Sequence, residues 1–416
     1  MVQAALARGT ASRRCVFETF ARGLPSGRRY GVLAGVGRLL DDLERFRFSD
    51  PTLAALEERQ VVDTATLNWL ADYRFTGNIW GYAEGECYFP QSPLLIVEGT
   101  FAEAVVLETI VLSTLNFDSA VAAAASRMTV AAGGRPCIEM GSRRTHERAA
   151  IASARAAYIA GFTSTSNLEA GVEYDIPTRG TSAHAFTLLH DSERDAFTAQ
   201  VDALGKGTTL LVDTYDVREA VALGVEIAGP ELGAVRLDSG DLLTQAWEVR
   251  QQLDALGAHN TRIIVTSDLD ENAIAAMAAA PVDGYGVGTN LVTGSGAPTA
   301  SLVYKLVART GEDGRMVPVE KESKDKVSVG GRKYAARRRS PSGIATTEVI
   351  RIGSPPPDSD TDRPLLVPYI REGEVVGRVS LDDARARHQA SRDELPPDAR
   401  KMSWGEPAIP TVYERG

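Results

Sequence analysis

Apolar positions along the chain fall into three regimes. In Gly35-Val-Gly-Arg-Leu-Leu-Asp-Asp-Leu-Glu-Arg-Phe they recur three and four residues apart, which predicts an amphipathic helix. From 75 to 97 the pattern shortens. Gly77, Gly81, Gly85 and Pro90 punctuate runs such as Cys87-Tyr-Phe and Leu94-Leu-Ile-Val, as in a small β-rich unit. Residues 101–130 are alanine-rich and predict one long helical stretch, because alanine favours the helix and lets neighbours pack closely. From about residue 135 short apolar runs alternate with amphipathic stretches. Cys137-Ile-Glu-Met precedes a helix near 146–160, and Thr208-Thr-Leu-Leu-Val-Asp one near 217–223. Gly233-Ala-Val-Arg-Leu-Asp precedes 241–256, Arg262-Ile-Ile-Val-Thr precedes 271–279, and Gly284-Tyr-Gly-Val-Gly follows. Repeated strand–helix units imply parallel strands with right-handed crossovers. Runs as continuously apolar as Leu210-Leu-Val and Ile263-Ile-Val suit strands covered on both faces. The expected fold is α/β, as a barrel of the TIM type or as an open doubly wound sheet.

The tail reads differently. Arg337-Arg-Arg-Ser-Pro-Ser-Gly and Gly353-Ser-Pro-Pro-Pro-Asp-Ser-Asp predict loops or linkers. The arginine run 337–339 is expected on a solvated surface, with a phosphate contact as the alternative. Leu365-Leu-Val-Pro and Val375-Val-Gly-Arg-Val predict a short strand pair, and 381–395 a terminal helix. The expected division is 1–130, with part of the C-terminal region, as an N-terminal α/β domain, 131–310 as the barrel, and 311–416 as an extension packing back on the N-terminal domain.

Composition narrows the class. With 416 residues, 44% hydrophobic and 24% charged, the chain can bury a core without disulfides or structural metals. Cys15, Cys87 and Cys137 are odd in number and widely spaced, which predicts reduced thiols and a cytoplasmic protein. Met1 opens no signal-peptide pattern, and the apolar stretch 104–115 is short and interrupted by Glu108, so no membrane span is expected. A net charge of −10 without a long basic run argues against a nucleic-acid binder.

Candidate chemistry gathers where the apolar runs end, the place where barrels carry their sites. The runs close on Gly141-Ser-Arg-Arg, Asp213-Thr-Tyr-Asp, Arg236-Leu-Asp-Ser-Gly-Asp, Thr266-Ser-Asp and Gly286-Val-Gly-Thr-Asn. Any one of these reads equally as a helix cap. Five in succession read as a hydroxyl-rich site for an anionic ligand. Arg236 and Asp238, two apart on a strand, share a face. They suit a phosphate beside a ribose, or else form a structural ion pair. Gly286, Gly288 and Thr289 suit either a phosphate cradle or a plain turn. Of five histidines, His184 stands apart, because Gly180-Thr-Ser-Ala-His-Ala-Phe places it after a glycine turn among small neighbours. The preceding Tyr174-Asp-Ile-Pro looks strand-like.

Taken together, Gly180-Thr-Ser-Ala-His-Ala-Phe, Arg236-Leu-Asp-Ser-Gly-Asp, Glu139-Met-Gly-Ser-Arg-Arg and Gly161-Phe-Thr-Ser-Thr-Ser-Asn resemble nicotinate phosphoribosyltransferases. Leu107-Glu-Thr-Ile-Val-Leu-Ser-Thr-Leu-Asn-Phe and Val303-Tyr-Lys-Leu-Val fit the same pattern, and the resemblance spans roughly 13–335. It implies an irregular TIM-like α/β barrel with an additional α/β domain formed mainly by the N-terminal part. It also implies the joining of nicotinate to 5-phosphoribosyl 1-pyrophosphate (PRPP), giving nicotinate mononucleotide and pyrophosphate, with ATP as co-substrate and Mg²⁺ accompanying the diphosphates. A homodimer with active sites at the subunit interface is implied as well.

By the same resemblance, His184 falls on the histidine that ATP phosphorylates, and Asp213 on the carboxylate that orients it. Arg143, with Arg144 beside it, falls near the pyridine carboxylate. Ser166 and Asn167 shape the base pocket, and Arg236 and Asp238 meet phosphate and ribose. Ser239, Gly240, Gly286, Gly288 and Thr289 fall on phosphate-binding loops. The nicotinamide-using relatives place an acid near the amide, whereas 161–167 has none. Quinolinate-using relatives are shorter and lack the histidine. A degenerate, non-enzymatic barrel would have lost His184, Asp213, Arg236 or Asp238, and all four are here. Members of the family carry a Thr-Asp-X-Tyr-X-Leu-Thr-Met segment before the first helix, its tyrosine covering the pyridine ring. Met1 matches the last methionine of that segment, so the tyrosine is expected upstream of Met1; a more open base pocket is the alternative.

Overall fold

In the computed structural model the apolar runs after residue 135 form six parallel strands, ordered Ser164–Thr165, Cys137–Glu139, Gly284–Val287, Arg262–Val265, Ala234–Leu237, Thr209–Leu211. The last strand of the series lies against the first, the pairing that closes a barrel. One seam stays open between Ser164–Thr165 and Thr209–Leu211, and there Thr178 makes an isolated parallel bridge to Thr165. The result is an irregular, curled barrel, neither evenly closed nor doubly wound. Its strands are short and apolar, and Ala234–Leu237 and Gly284–Val287 are buried at every position, as strands sandwiched between helices must be. The helices start where predicted, at Glu147–Ile159, Val217–Ala228, Leu242–Ala255 and Glu271–Ala276.

The structure describes residues 1–321, 329–357 and 359–415. The chain divides into two units, Ala124–Pro298, which holds the barrel, and Met1–Ala123 with Thr299–Gly416. The strand Leu302–Thr310, placed with the barrel by the sequence division, pairs antiparallel with Arg14–Ala21 in the second unit. That unit holds a seven-stranded antiparallel sheet in the order Met316–Pro318, Leu302–Thr310, Arg14–Ala21, Leu95–Thr100, Asn78–Tyr82, Leu366–Arg371, Glu374–Val375. The predicted strand pair in the tail is its last hairpin. Helix Val36–Arg45 buries Val36, Leu39, Leu40 and Leu43, the positions its periodicity marks. Among the described residues no helix is long and apolar enough to cross a membrane. All three cysteines are free and buried.

Three expectations need correction. The helix predicted over 101–130 breaks at Leu107 into Phe101–Val106, started by a Thr100–Glu103 capping box, and Glu108–Ala132. Tyr174-Asp-Ile-Pro is no strand. Tyr174 ends the helix Leu168–Tyr174, and Asp175 terminates it in the left-handed region at φ 55°. The 337–339 run is not a solvated loop. It closes the strand Lys333–Arg339 in a four-stranded sheet, and Arg337 is fully buried. Its Nε and Nη2 donate to Glu348 at 3.0 and 2.7 Å, and Nη2 donates to the Cys87 carbonyl at 2.8 Å. Of the charged linker predicted at 353–360, Asp358 lies outside the described residues.

Candidate active site

Helix caps account for part of the polar chemistry at the barrel's strand ends. Asp216, Asp241 and Asp270 each accept a first-turn N–H of the helix that follows. Asp213 and Asp238 do not cap, and both face His184. The imidazole Nε2 is 3.8 Å from Asp213 Oδ1 and 3.8 Å from Asp238 Oδ2, while Nδ1 is 3.2 Å from Thr214 Oγ1. The His184 side chain is 41% exposed and the Asp213 side chain 2%. Asp213 Oδ2 accepts from the Ser239 hydroxyl at 2.6 Å and from the Asp238 N–H at 3.1 Å. Asp213 Oδ1 is buried and, among the described residues, meets no hydrogen-bond donor, leaving it for the histidine.

Arg236 and Asp238 do share a face, and the ion pair allowed by their spacing is formed, Nη2 to Oδ1 at 3.0 Å. The rest of the guanidinium is spoken for as well. Nε donates to Thr266 at 2.9 Å, and Nη1 donates to Thr181 at 2.5 Å and to the Ser182 carbonyl at 3.3 Å. Arg236 therefore tethers the segment leading into His184 to the strand Ala234–Leu237, with one Nη2 hydrogen left for a ligand. Burial pushes the Asp238 carboxyl up, but the Thr266 hydroxyl, Arg236 and His184 outweigh it and hold the pKa below the usual carboxylate range. Asp238 thus stands ionised, with Oδ2 toward the mouth.

On the other side of the seam, Arg143 and Arg144 lie in the turn after Cys137–Glu139. Both are exposed, and no partner meets either guanidinium among the described residues. Ser166 is exposed, and Asn167 caps Leu168–Tyr174 while its Nδ2 donates to Ser142 at 3.0 Å. Gly240 turns at φ 82°, where a Cβ would strike Gln245 at 2.5 Å. Gly286 is buried inside its strand, and a Cβ there would meet Thr266 at 2.6 Å and Met140 at 2.7 Å, so its missing side chain serves packing. Gly288 and Thr289 stand beyond it, at the start of the short helix Thr289–Val292. Thr181, Thr214 and Thr266 lie inside the motifs the sequence marked but were given no role there, because a hydroxyl in a loop carries no pattern that tells which group it meets.

The arrangement offers an exposed imidazole backed by two carboxylates, a polar strand-end floor and two unpaired arginines. Comparison with known proteins places the chain. Residues 1–116 match the family described as the nicotinate phosphoribosyltransferase (NAPRTase) N-terminal domain. The chain is 56% identical to the nicotinate phosphoribosyltransferase pncB1 of Mycobacterium tuberculosis over 420 residues, covering 99% of this chain and 92% of that protein. It is 40% identical to pncB2 of the same organism, covering 94% and 84%. The fold is similar to the crystal structure of human nicotinic acid phosphoribosyltransferase, with TM-score 0.84 and 26% identity over 99% of this chain and 95% of that one. With more than half its residues identical to pncB1 over nearly its whole length, the chain belongs to the nicotinate phosphoribosyltransferase family.

Proposed function

We propose that the chain joins nicotinate to PRPP, giving nicotinate mononucleotide and pyrophosphate for NAD synthesis, and that ATP hydrolysis drives the reaction through a phosphohistidine at His184. The observation that carries the reading is His184 itself, exposed at the barrel mouth with Nε2 toward Asp213 and Asp238. With the Nε2 proton directed at the carboxylates, Nδ1 carries the lone pair, and it attacks the γ-phosphorus of ATP once the Thr214 hydroxyl, 3.2 Å away, turns aside. The N–P bond forms as the bond to the ADP oxygen breaks, and the carboxylates stabilise the positive ring.

In the transfer, the C–O bond between the anomeric carbon and the diphosphate breaks. Positive charge develops on the ribose and negative charge on the leaving group. Asp238 Oδ2 suits the ribose hydroxyls, and Gly288 and Thr289 offer backbone N–H groups to phosphate. The pyridine nitrogen already carries a lone pair, so no general base is needed and orientation is the main demand. Mg²⁺ would arrive on the diphosphate and neutralise its charge. The donor set fits a metal held by substrate oxygens and water, with Asp238 the partly exposed carboxylate able to meet that shell. Among the described residues no three acidic, His or Cys groups gather into a cage. The active unit is proposed to be a homodimer.

The test is pyrophosphate release from PRPP with nicotinate or nicotinamide, with and without ATP. Nicotinate is expected to be favoured on the order of tenfold to a hundredfold, the value of one charge-assisted pair at Arg143. In Arg143→Ala the preference should shrink to near parity. Equal rates for both bases in the parent chain would contradict the reading. A separate expectation concerns Arg236. Arg236→Met frees Asp238 and unties the 181–182 segment, so kcat/KM for PRPP should fall on the order of a hundredfold. Steady-state kinetics on folded variant protein checks this, and an unchanged kcat/KM would remove Arg236 from the site.

A further inference from the structure

Glu139 is fully buried at the end of the strand Cys137–Glu139, and no cation pairs with it among the described residues. Burial pushes its carboxyl up, only partly offset by two donors, the Thr165 hydroxyl and the Gly141 N–H. An acid is a costly choice for such a place, where an apolar side chain would pack without penalty. What the acid makes is a connection. Oε1 accepts the Gly141 N–H at 2.5 Å, and Oε2 accepts the Thr165 hydroxyl. Thr165 Oγ1 accepts the Asn167 N–H at 2.9 Å, and Asn167 Nδ2 returns to Ser142 Oγ at 3.0 Å. The circuit is completed through the backbone, with Ser166 N–H on the Glu139 carbonyl and Arg144 N–H on the Gly141 carbonyl, each at 2.8 Å. Gly141 is needed for the approach, since a Cβ there would lie 2.9 Å from Glu139 Oε1 and 2.2 Å from Val292.

We infer that Glu139 is a positioning residue that fixes the turn bearing Arg143 and Arg144 against the loop bearing Ser166 and Asn167, and so sets the fit of the pyridine carboxylate. The inference rests on the nicotinate reading above. Glu139 touches no substrate; it acts by holding two segments at one separation, and a pocket built from two loops loses affinity when either drifts.

The experiment measures KM for nicotinate and for PRPP, with kcat, in Glu139→Gln, Thr165→Val and Thr165→Ser. Glu139→Gln and Thr165→Val should each raise the nicotinate KM on the order of tenfold while the PRPP KM moves less than about twofold. Thr165→Ser keeps the hydroxyl and should bring the nicotinate KM back toward the parent value. The double change Glu139→Gln with Thr165→Val should cost little more than either alone, because both cut one circuit. An unchanged nicotinate KM, a parallel rise in both KM values, or no recovery with serine would overturn the inference. Should Glu139→Gln not fold, the Thr165 pair carries the same test. A parent chain without nicotinate-dependent pyrophosphate release would instead overturn the proposed function.

Discussion

His184→Ala is expected to hydrolyse no ATP and to make nicotinate mononucleotide only slowly, with no stimulation by ATP. The imidazole is exposed with Asp213 and Asp238 each 3.8 Å from Nε2, and in the proposed reaction it is the nucleophile that Asp213 orients. Alanine removes the atom that would carry the phosphoryl group, whereas the donors and acceptors that meet PRPP stay on other strands. Binding and orientation alone then leave a residual, uncoupled rate. The check is twofold: phosphate release from ATP, and acid-labile, base-stable label on the protein after incubation with γ-labelled ATP. Wild-type-like ATP hydrolysis by the variant would remove the phosphohistidine.

Arg337→Met should lower stability by about 3–5 kcal/mol, the usual result of removing one partner of a buried ion pair. Glu348 would lose its guanidinium and, among the described residues, keep the hydroxyls of Tyr82 and Ser92, in a place fully buried from solvent. Glu86 would lose a charge 3.6 Å away. Urea unfolding checks the size, and Arg337→Met with Glu348→Leu should recover part of it by removing the stranded charge. A pH consequence follows. Burial pushes the Glu86 carboxyl up, but Arg337 and Arg363 outweigh it and hold its pKa below the ordinary value. A depressed carboxylate gives its full stabilisation above the ordinary Glu range and loses it as pH falls through the lowered value. Without Arg337 the loss starts at higher pH, so acid unfolding should move upward.

The barrel was legible because its strands are buried on both faces. Continuous apolar runs ending in polar residues are what such strands must look like, and Ala234–Leu237 and Arg262–Val265 start and stop within a residue of the pattern. Strand ends also pointed to Asp213 and Asp238, and a glycine turn to His184, although nothing local separates those acids from the capping Asp216 and Asp241. Only the fold shows which carboxylates turn toward the mouth. Arg337 was misread because charge runs usually lie in water, and its partners Glu86 and Cys87 are about 250 residues away in the chain. The irregular barrel seam was hidden for a similar reason. Thr178 joins the sheet by one bridge, too short to leave a pattern. Glu139 did leave a trace, as the one acid in the run Cys137-Ile-Glu-Met. Its meaning depends on Thr165 and Gly141 meeting it in space.

The most direct measurement of the account is chromatographic detection of nicotinate mononucleotide from nicotinate and PRPP, with ATP hydrolysis followed in the same reaction. The account predicts nicotinate-dependent product, faster with ATP than without, and ADP formed alongside it. Absence of the mononucleotide with all three substrates and Mg²⁺ present, from folded protein, would contradict it.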